Sequence, residues 1–143
     1  MNQNKIIQNV ALGLIVKNDF ILTYSVQDKI SDDIFFRLIG GHIEFGENSK
    51  TALVREFKEE IDQKIKIIQG LDVFENIYFY NGKKCHEFVS LFLIEFLDNK
   101  MYESECIIGH EGPSRTYEAY WLPIKDFKSN KKVLYPPEIL NHI

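Results

Sequence analysis

Glu47, Glu56, Glu59 and Glu60 stand at fixed distances behind the glycine pair Gly40 and Gly41, with Arg55 among them. Carboxylates are oxygen ligands that only accept, and three within five residues repel one another. Glu56 and Glu60 are i,i+4 neighbours and Glu56 and Glu59 are i,i+3 neighbours, so their repulsion is a few tenths of a kcal/mol when solvated and more when partly buried. A hard divalent cation turns that repulsion into binding. Arg55 beside the cluster is placed to hold one carboxylate in orientation.

These residues need elements to position them. Asn48 is an N-cap residue type, and Ser49 to Ile61 holds helix formers with no Pro or Gly, which predicts a helix of about three turns. At 100° per residue, Leu53, Phe57 and Ile61 fall on one stripe with Val54 at its edge, while Ala52, Glu56, Glu59 and Glu60 gather on another. One face is expected to pack and the other to present carboxylates. Gly40, Gly41 and Gly46 read as a turn that needs positive φ or close approach of another group. A Glu- and Lys-rich helix taken alone is most simply a solvated face. A bare surface helix, however, has no need of paired glycines ahead of it at this spacing.

Gly41, five residues, Glu47, seven residues and then Arg55-Glu56-Phe57-Lys58-Glu59-Glu60 resembles the signature of the Nudix hydrolases, G-x5-E-x7-R-E-U-x-E-E-x-G-U with U apolar. The pattern departs only at its end, where Asp62 replaces the usual Gly and Gln63 the usual apolar residue. Asp tolerates the left-handed conformation that ends a helix better than most residues, so the C-cap is expected to survive.

The resemblance implies a MutT-like α+β fold, an α/β/α sandwich with a mixed sheet between helices and the motif as loop-helix-loop at the sheet's edge. It also implies that Glu56, Glu59 and Glu60 are the main metal ligands, that Glu47 is a supplementary one and that Arg55 fixes the carboxylate geometry. Gly40 and Gly41 would shape the turn and offer backbone groups to metal or phosphate. Mg²⁺ suits all-oxygen ligation with substrate phosphates, and Mn²⁺ is the plausible substitute. Phosphoanhydride hydrolysis needs charge neutralised, a water deprotonated and reacting atoms in line. Glu56 is the first candidate for the general base within the motif. Outside it Glu111 is the first, with Glu103, Glu105 and Glu118 competing, and His86-Glu87 opens a strand that could face the cleft.

The expected reaction is metal-dependent pyrophosphohydrolysis of a nucleoside diphosphate linked to another moiety, of the nucleoside triphosphate or the ADP-ribose and nucleotide-sugar class. The alternative is a non-hydrolytic Nudix-fold nucleotide sensor or binding module, which would be expected to lose motif glutamates. All four remain. A phosphate-cradling ATPase is set aside because Gly46 is followed by Glu47 and no Gly-Lys-Ser/Thr occurs.

A chain of 143 residues is expected to form one domain over 1–143. Its 17 basic and 21 acidic residues give −4, which disfavours a nucleic acid polymer as partner. Cys85 and Cys106 are isolated and read as thiols in a reducing cytosol. The apolar run Val10–Val16 is too short to span a bilayer and lacks a signal-peptide layout, so the expected location is cytoplasmic with no membrane contact. A homodimer is expected by resemblance alone.

Along the chain, Ile6–Val16 and Phe20–Val26 read as a hairpin joined by Lys17-Asn18-Asp19, and Ile34–Ile39 as the strand entering the glycine turn. Ile65–Gly70 and Leu71–Tyr80 follow as strands, ending in a turn at Asn81-Gly82-Lys83-Lys84. His86–Leu97 is apolar enough to be central and covered on both faces. Asp98–Ser114 reads as a long polar loop, Tyr117–Leu122 as a strand, Ile124–Phe127 as a short helix start and Glu138–Ile143 as a terminal helix. Phe35, Phe36, Tyr78, Phe79, Tyr80, Tyr117, Tyr120 and Trp121 include the candidates for stacking on a base.

Overall fold

A computed structural model describes residues 5–143. β1 (Ile7–Leu14) lies between β5 (Ile39–His42) and β7 (Lys83–Phe96), and β6 (Ile65–Tyr80) closes the order β5-β1-β7-β6. Only the β1–β7 pair is parallel, which makes this sheet mixed. The second sheet is antiparallel. It runs β2 (Val16–Lys17), β3 (Phe20–Gln27), β9 (Arg115–Pro123), β8 (Cys106–Glu111), with β4 (Ile34–Arg37) also on β3.

Alternation along β1 shows how the layers form. Val10, Leu12 and Leu14 enter a core with Phe127 and Ile139, while Ala11 and Ile15 enter another with Leu53, Phe57 and Ile61. Helix α1 (Ser49–Ile61) therefore covers one side, and α2 (Ile124–Lys128) with the 3-10 turn Pro137–His142 covers the other. This is the α+β sandwich expected, with its strands divided over two sheets.

Helix α1 has the bounds read from sequence. The Asn48 side chain accepts from Thr51 N at 2.9 Å, and Asp62 takes the left-handed conformation at φ 54°. Leu53 and Phe57 are fully buried, each contributing about 1.5–3 kcal/mol by leaving water. The buried face is wider than the predicted stripe, since Ala52 and Glu60 are also buried, and Val54 is exposed. The second sheet reaches over α1 and covers that side, so not every motif glutamate faces solvent.

Several strands differ from expectation for physical reasons. β1 does not pair with β3; only Val16–Lys17 folds back on Phe20–Ile21, through a turn with Asn18 at φ 53°. The predicted strand Ile34–Ile39 is broken at buried Leu38, where the chain leaves the second sheet for the first. The stretch 65–80 is one strand, because Gly70 sits at a bulge instead of a break. Its turn is the two residues Asn81-Gly82, both at positive φ, and Lys83 already belongs to β7.

β7 is central as expected, but its coverage is uneven. Leu91 is buried on one face and Phe92 and Ile94 in the other core, while Phe88 is exposed. The terminal helix is a 3-10 turn.

The largest correction concerns the predicted loop Asp98–Ser114. It contains a 3-10 turn, Asn99–Glu103, and strand β8, which forms a hairpin with β9. Among residues 107–110, only Ile107 carries a large apolar side chain inward, because a Cβ at Gly109 would lie 2.1 Å from the Tyr117 ring. The inward apolar period is thereby erased from the sequence. No helix among the described residues is long and apolar enough to cross a membrane.

Candidate active site

β5 lays the glycine pair along β1, with Gly41 opposite Ala11 and Gly40 opposite Leu12. A Cβ on Gly40 would lie 2.0 Å from the Ala11 carbonyl oxygen, and one on Gly41 would lie 2.3 Å from the Glu56 carboxyl carbon. Glycine at 41 therefore lets the Glu56 carboxylate lie flat against the strand.

Helix α1 supplies the charged side chains. Arg55 donates to Glu47 through two nitrogens, Nε to Oε2 at 2.8 Å and Nη2 to Oε1 at 2.9 Å. Its Nη1 reaches Glu56 Oε1 at 2.8 Å and Glu59 Oε2 at 3.1 Å, and Nη2 also donates to the His42 carbonyl at 2.9 Å. Charge-assisted fork geometry of this kind fixes orientation as well as adding energy. The hydrogen bonds from Arg55, with that from Glu44 N–H, pull the Glu47 carboxyl down to about 2, and the same pairing raises the Arg55 pKa.

Glu60 lies deeper. Burial pushes its carboxyl up to about 9; the Tyr117 hydroxyl, donating to Oε1 at 2.7 Å, opposes the shift, and Glu56 and Glu111 add to it. The Tyr117 ring stacks on Tyr24 at 4.3 Å, and burial, followed by the charge of Glu60, raises the Tyr117 phenol.

A cleft of about 460 Å³ opens over these groups, with Val10 and Leu12 of β1 in its lining. Gly40, Gly41, Glu56, Glu59, Glu60 and Glu111 all line it. Arg55 and Glu47 lie outside the lining and act on it through Glu56 and Glu59. Of the carboxylates proposed outside the motif, Glu111 reaches the cleft from the end of β8. Glu103 and Glu105 line a different depression beside Trp121, and Glu118 accepts from Tyr120. The His86-Glu87 pair splits, because neighbours on a strand face opposite ways: Glu87 lines the cleft and His86 pairs with Glu75.

Arg37, Tyr24, Tyr78 and His110 also line the cleft. In the sequence Tyr78 and Tyr117 stand out only as aromatics able to stack. Arg37 had a signal of its own, a lone cation in the run Ile34-Phe35-Phe36-Arg37-Leu38-Ile39.

Among the described residues no three His, Cys, Asp or Glu side chains already converge as metal ligands. Arg55 holds Glu56 and Glu59 instead. The donor set nevertheless fits a hard divalent cation: it is all oxygen, Glu56 and buried Glu60 stand one helical turn apart on the same cleft, and Glu59 and Glu111 border the same space.

A family model for the NUDIX domain matches residues 8–142. The chain belongs to the Nudix family. Nudix hydrolases act on phosphoanhydride bonds, generally with divalent metal ions, and the membership implies a nucleotide-type substrate. Solved structures share the fold. A MutT mutator protein of Bacillus halodurans aligns with TM-score 0.64 at 18% identity, over 95% of this chain and 81% of its own. The E. coli ORF135 protein aligns with TM-score 0.63 at 18% identity, over 93% and 84%. An ADP-ribose pyrophosphatase of Streptococcus suis aligns with TM-score 0.58 at 18% identity, over 95% and 88%.

Proposed function

We propose that this Nudix hydrolase is a Mg²⁺-dependent pyrophosphohydrolase that cleaves a nucleoside diphosphate linked to another moiety, a nucleoside triphosphate or a compound of the ADP-ribose and nucleotide-sugar class. The observation that carries this reading is the gathering of Glu56, Glu59, Glu60 and Glu111 on one cleft, with Arg55 braced behind two of them. One structural relative is named an ADP-ribose pyrophosphatase, after a compound of the second class.

Glu56, Glu59 and Glu60 are the proposed metal ligands, with Mn²⁺ as the substitute ion. Glu47 is spent on Arg55 in this arrangement and enters the ligand set only by exchanging that partner. A bound divalent cation would neutralise phosphate charge and acidify water. Glu56 is the proposed general base: Gly41 lets its carboxylate approach the ligand space, and Arg55 on Oε1 fixes its rotation. Tyr117 orients Glu60 by its hydrogen bond, and Glu111 offers a second carboxylate from the facing sheet. A nucleotide substrate and free Cys85 and Cys106 support a cytoplasmic site of action.

The test is nucleotide or phosphate release from a panel of nucleoside triphosphates, dinucleotides and nucleotide sugars, with Mg²⁺ and then with EDTA. Cleavage of one class, abolished by chelation, is the expected result. Nucleotide binding without cleavage of any compound would overturn it in favour of a sensor.

A further inference from the structure

The end of the cleft away from the motif holds a second ion pair that the proposed chemistry does not use. Arg37 ends β4, and Glu87 lies on β7 opposite Gln8 of β1 and Asn76 of β6. Gly41, at the phosphate end, lies opposite Ala11 of β1. Two strand spacings across and three residues along β1 separate the backbones of Gly41 and Glu87 by about 14 Å. Glu87 thus stands on the same cleft as the glycine pair but well apart from it along the sheet.

The bonding of this pair is incomplete. Arg37 Nη2 reaches Glu87 Oε1 at 3.4 Å, and Asn76 Nδ2 reaches the same oxygen at 3.4 Å. Arg37 Nε is buried and, among the described residues, has no partner. A guanidinium and carboxylate that serve only to hold a scaffold normally approach at about 2.7–2.9 Å through two parallel bonds. Buried polar groups normally find partners, and a buried pair with poor geometry is weak evidence for stability. Arg37 retains 22% side-chain exposure, and both residues line the cleft.

We infer that Arg37 and Glu87 recognise the nucleobase edge of the substrate and so determine which nucleotide is cleaved. The inference rests on the nucleotide reading above and names the residues that select within it. The pair offers donors beside an acceptor in one small region, and the edge of a base offers an acceptor beside a donor in one plane. A phosphate cannot satisfy it, because the Glu87 carboxylate repels an anion. Tyr24 and Tyr78 border the same space, the former stacked on Tyr117 and the latter edge-on to Tyr135, so aromatic rings flank the pair.

The experiment compares the wild type with Glu87→Gln, which keeps shape but changes an acceptor-only group into one that also donates, and with Arg37→Lys, which keeps charge and loses the fork. Binding of AMP, CMP, GMP, UMP and base-free ribose 5-phosphate is measured by calorimetry with Mg²⁺, and kcat and KM are measured on the four triphosphates. The wild type is expected to separate best and worst base by about tenfold or more. Glu87→Gln should compress or reorder that series through KM, with kcat and ribose 5-phosphate affinity within about twofold.

An unchanged base series in Glu87→Gln, or an equal loss on ribose 5-phosphate, would overturn the inference. So would a wild type that binds all four monophosphates no better than ribose 5-phosphate, or loss of the folded state in both variants by circular dichroism, which would assign the pair to the scaffold. Base-selective binding that Glu87→Gln disturbs, without hydrolysis of any triphosphate, would sustain this inference while the hydrolase reading fell.

Discussion

Arg55 and Arg37 each hold glutamate at one end of the same cleft, and their bonding contrasts. Arg55 spends all its nitrogens on Glu47, Glu56, Glu59 and the His42 carbonyl at 2.8–3.1 Å. Arg37 meets Glu87 at 3.4 Å and leaves Nε unpartnered among the described residues. The contrast separates two tasks. Groups that act on every substrate gain from being fixed in advance, since preorganisation avoids reorganisation at the moment of reaction. Groups that choose among substrates gain from bonds that only the right ligand completes, because the wrong one then leaves buried polar atoms unpaired.

The largest effect should come from the fixed end. Glu56→Gln keeps the shape against Gly41 and the Arg55 contact to the side-chain oxygen, and removes the basic carboxylate. Turnover is expected to fall by about 10²–10⁴-fold with the thermal midpoint little changed. Near-normal kcat in this variant would take the base away from α1 and move attention to Glu111.

Next in size is Arg55→Lys, which asks whether the fork itself matters. A lysine keeps one positive charge but cannot hold Glu47 through two bonds while reaching Glu56 and Glu59. Loss of a group that orients proposed ligands is expected to lower activity or metal affinity by about 10–100-fold. The diagnostic is the Mg²⁺ concentration for half-maximal rate, which should rise. If rate and metal dependence both stay within twofold of wild type, the preorganised end is no more than a surface ion network.

The two ends were also unequally legible in the sequence. Everything local to α1 could be read, because capping, helical period and charge spacing are short-range: Asn48, Ser49–Ile61 and even the Asp62 left-handed cap stand where expected. What depends on pairing between distant segments could not. Glu87 was one of two adjacent candidates until β7 paired with β1 and set its face. Tyr117 became a partner of Glu60 only because Gly109, across the β8–β9 hairpin, vacates the room for its ring. That same glycine hid β8 in an apparent loop. Arg37 is a lone cation in an apolar run, but its partner Glu87 lies 50 residues further on, on a strand of the other sheet, and Asn76 joins that carboxylate only through the β6–β7 register.

The smallest expected effect concerns the frame around the sparse end. The Asp28 carboxylate accepts from the N–H groups of Ile30 and Ser31 through Oδ1 and from Asn81 N–H through Oδ2, tying the β3–β4 connection to the turn of the β6–β7 hairpin that carries Glu87. These backbone bonds, that from Asn81 foremost, hold the Asp28 carboxyl below its ordinary 3.8. A carboxyl whose pKa is lower in the folded state contributes stability that is present above the unfolded pKa and lost as pH falls through the folded one. Asp28→Asn replaces one acceptor oxygen by a donor and is therefore expected to lower the thermal midpoint measurably at pH 7. The difference from wild type should begin to shrink as pH falls below the ordinary value of 3.8, where the unfolded chain takes up the proton, and vanish below the lower folded value, where native Asp28 is protonated too. A difference that stays constant from pH 7 to pH 3 would show that the strap acts through shape alone. Base selectivity measured alongside would tell whether tightening this frame, rather than Arg37 and Glu87 themselves, sets what the open end of the cleft accepts.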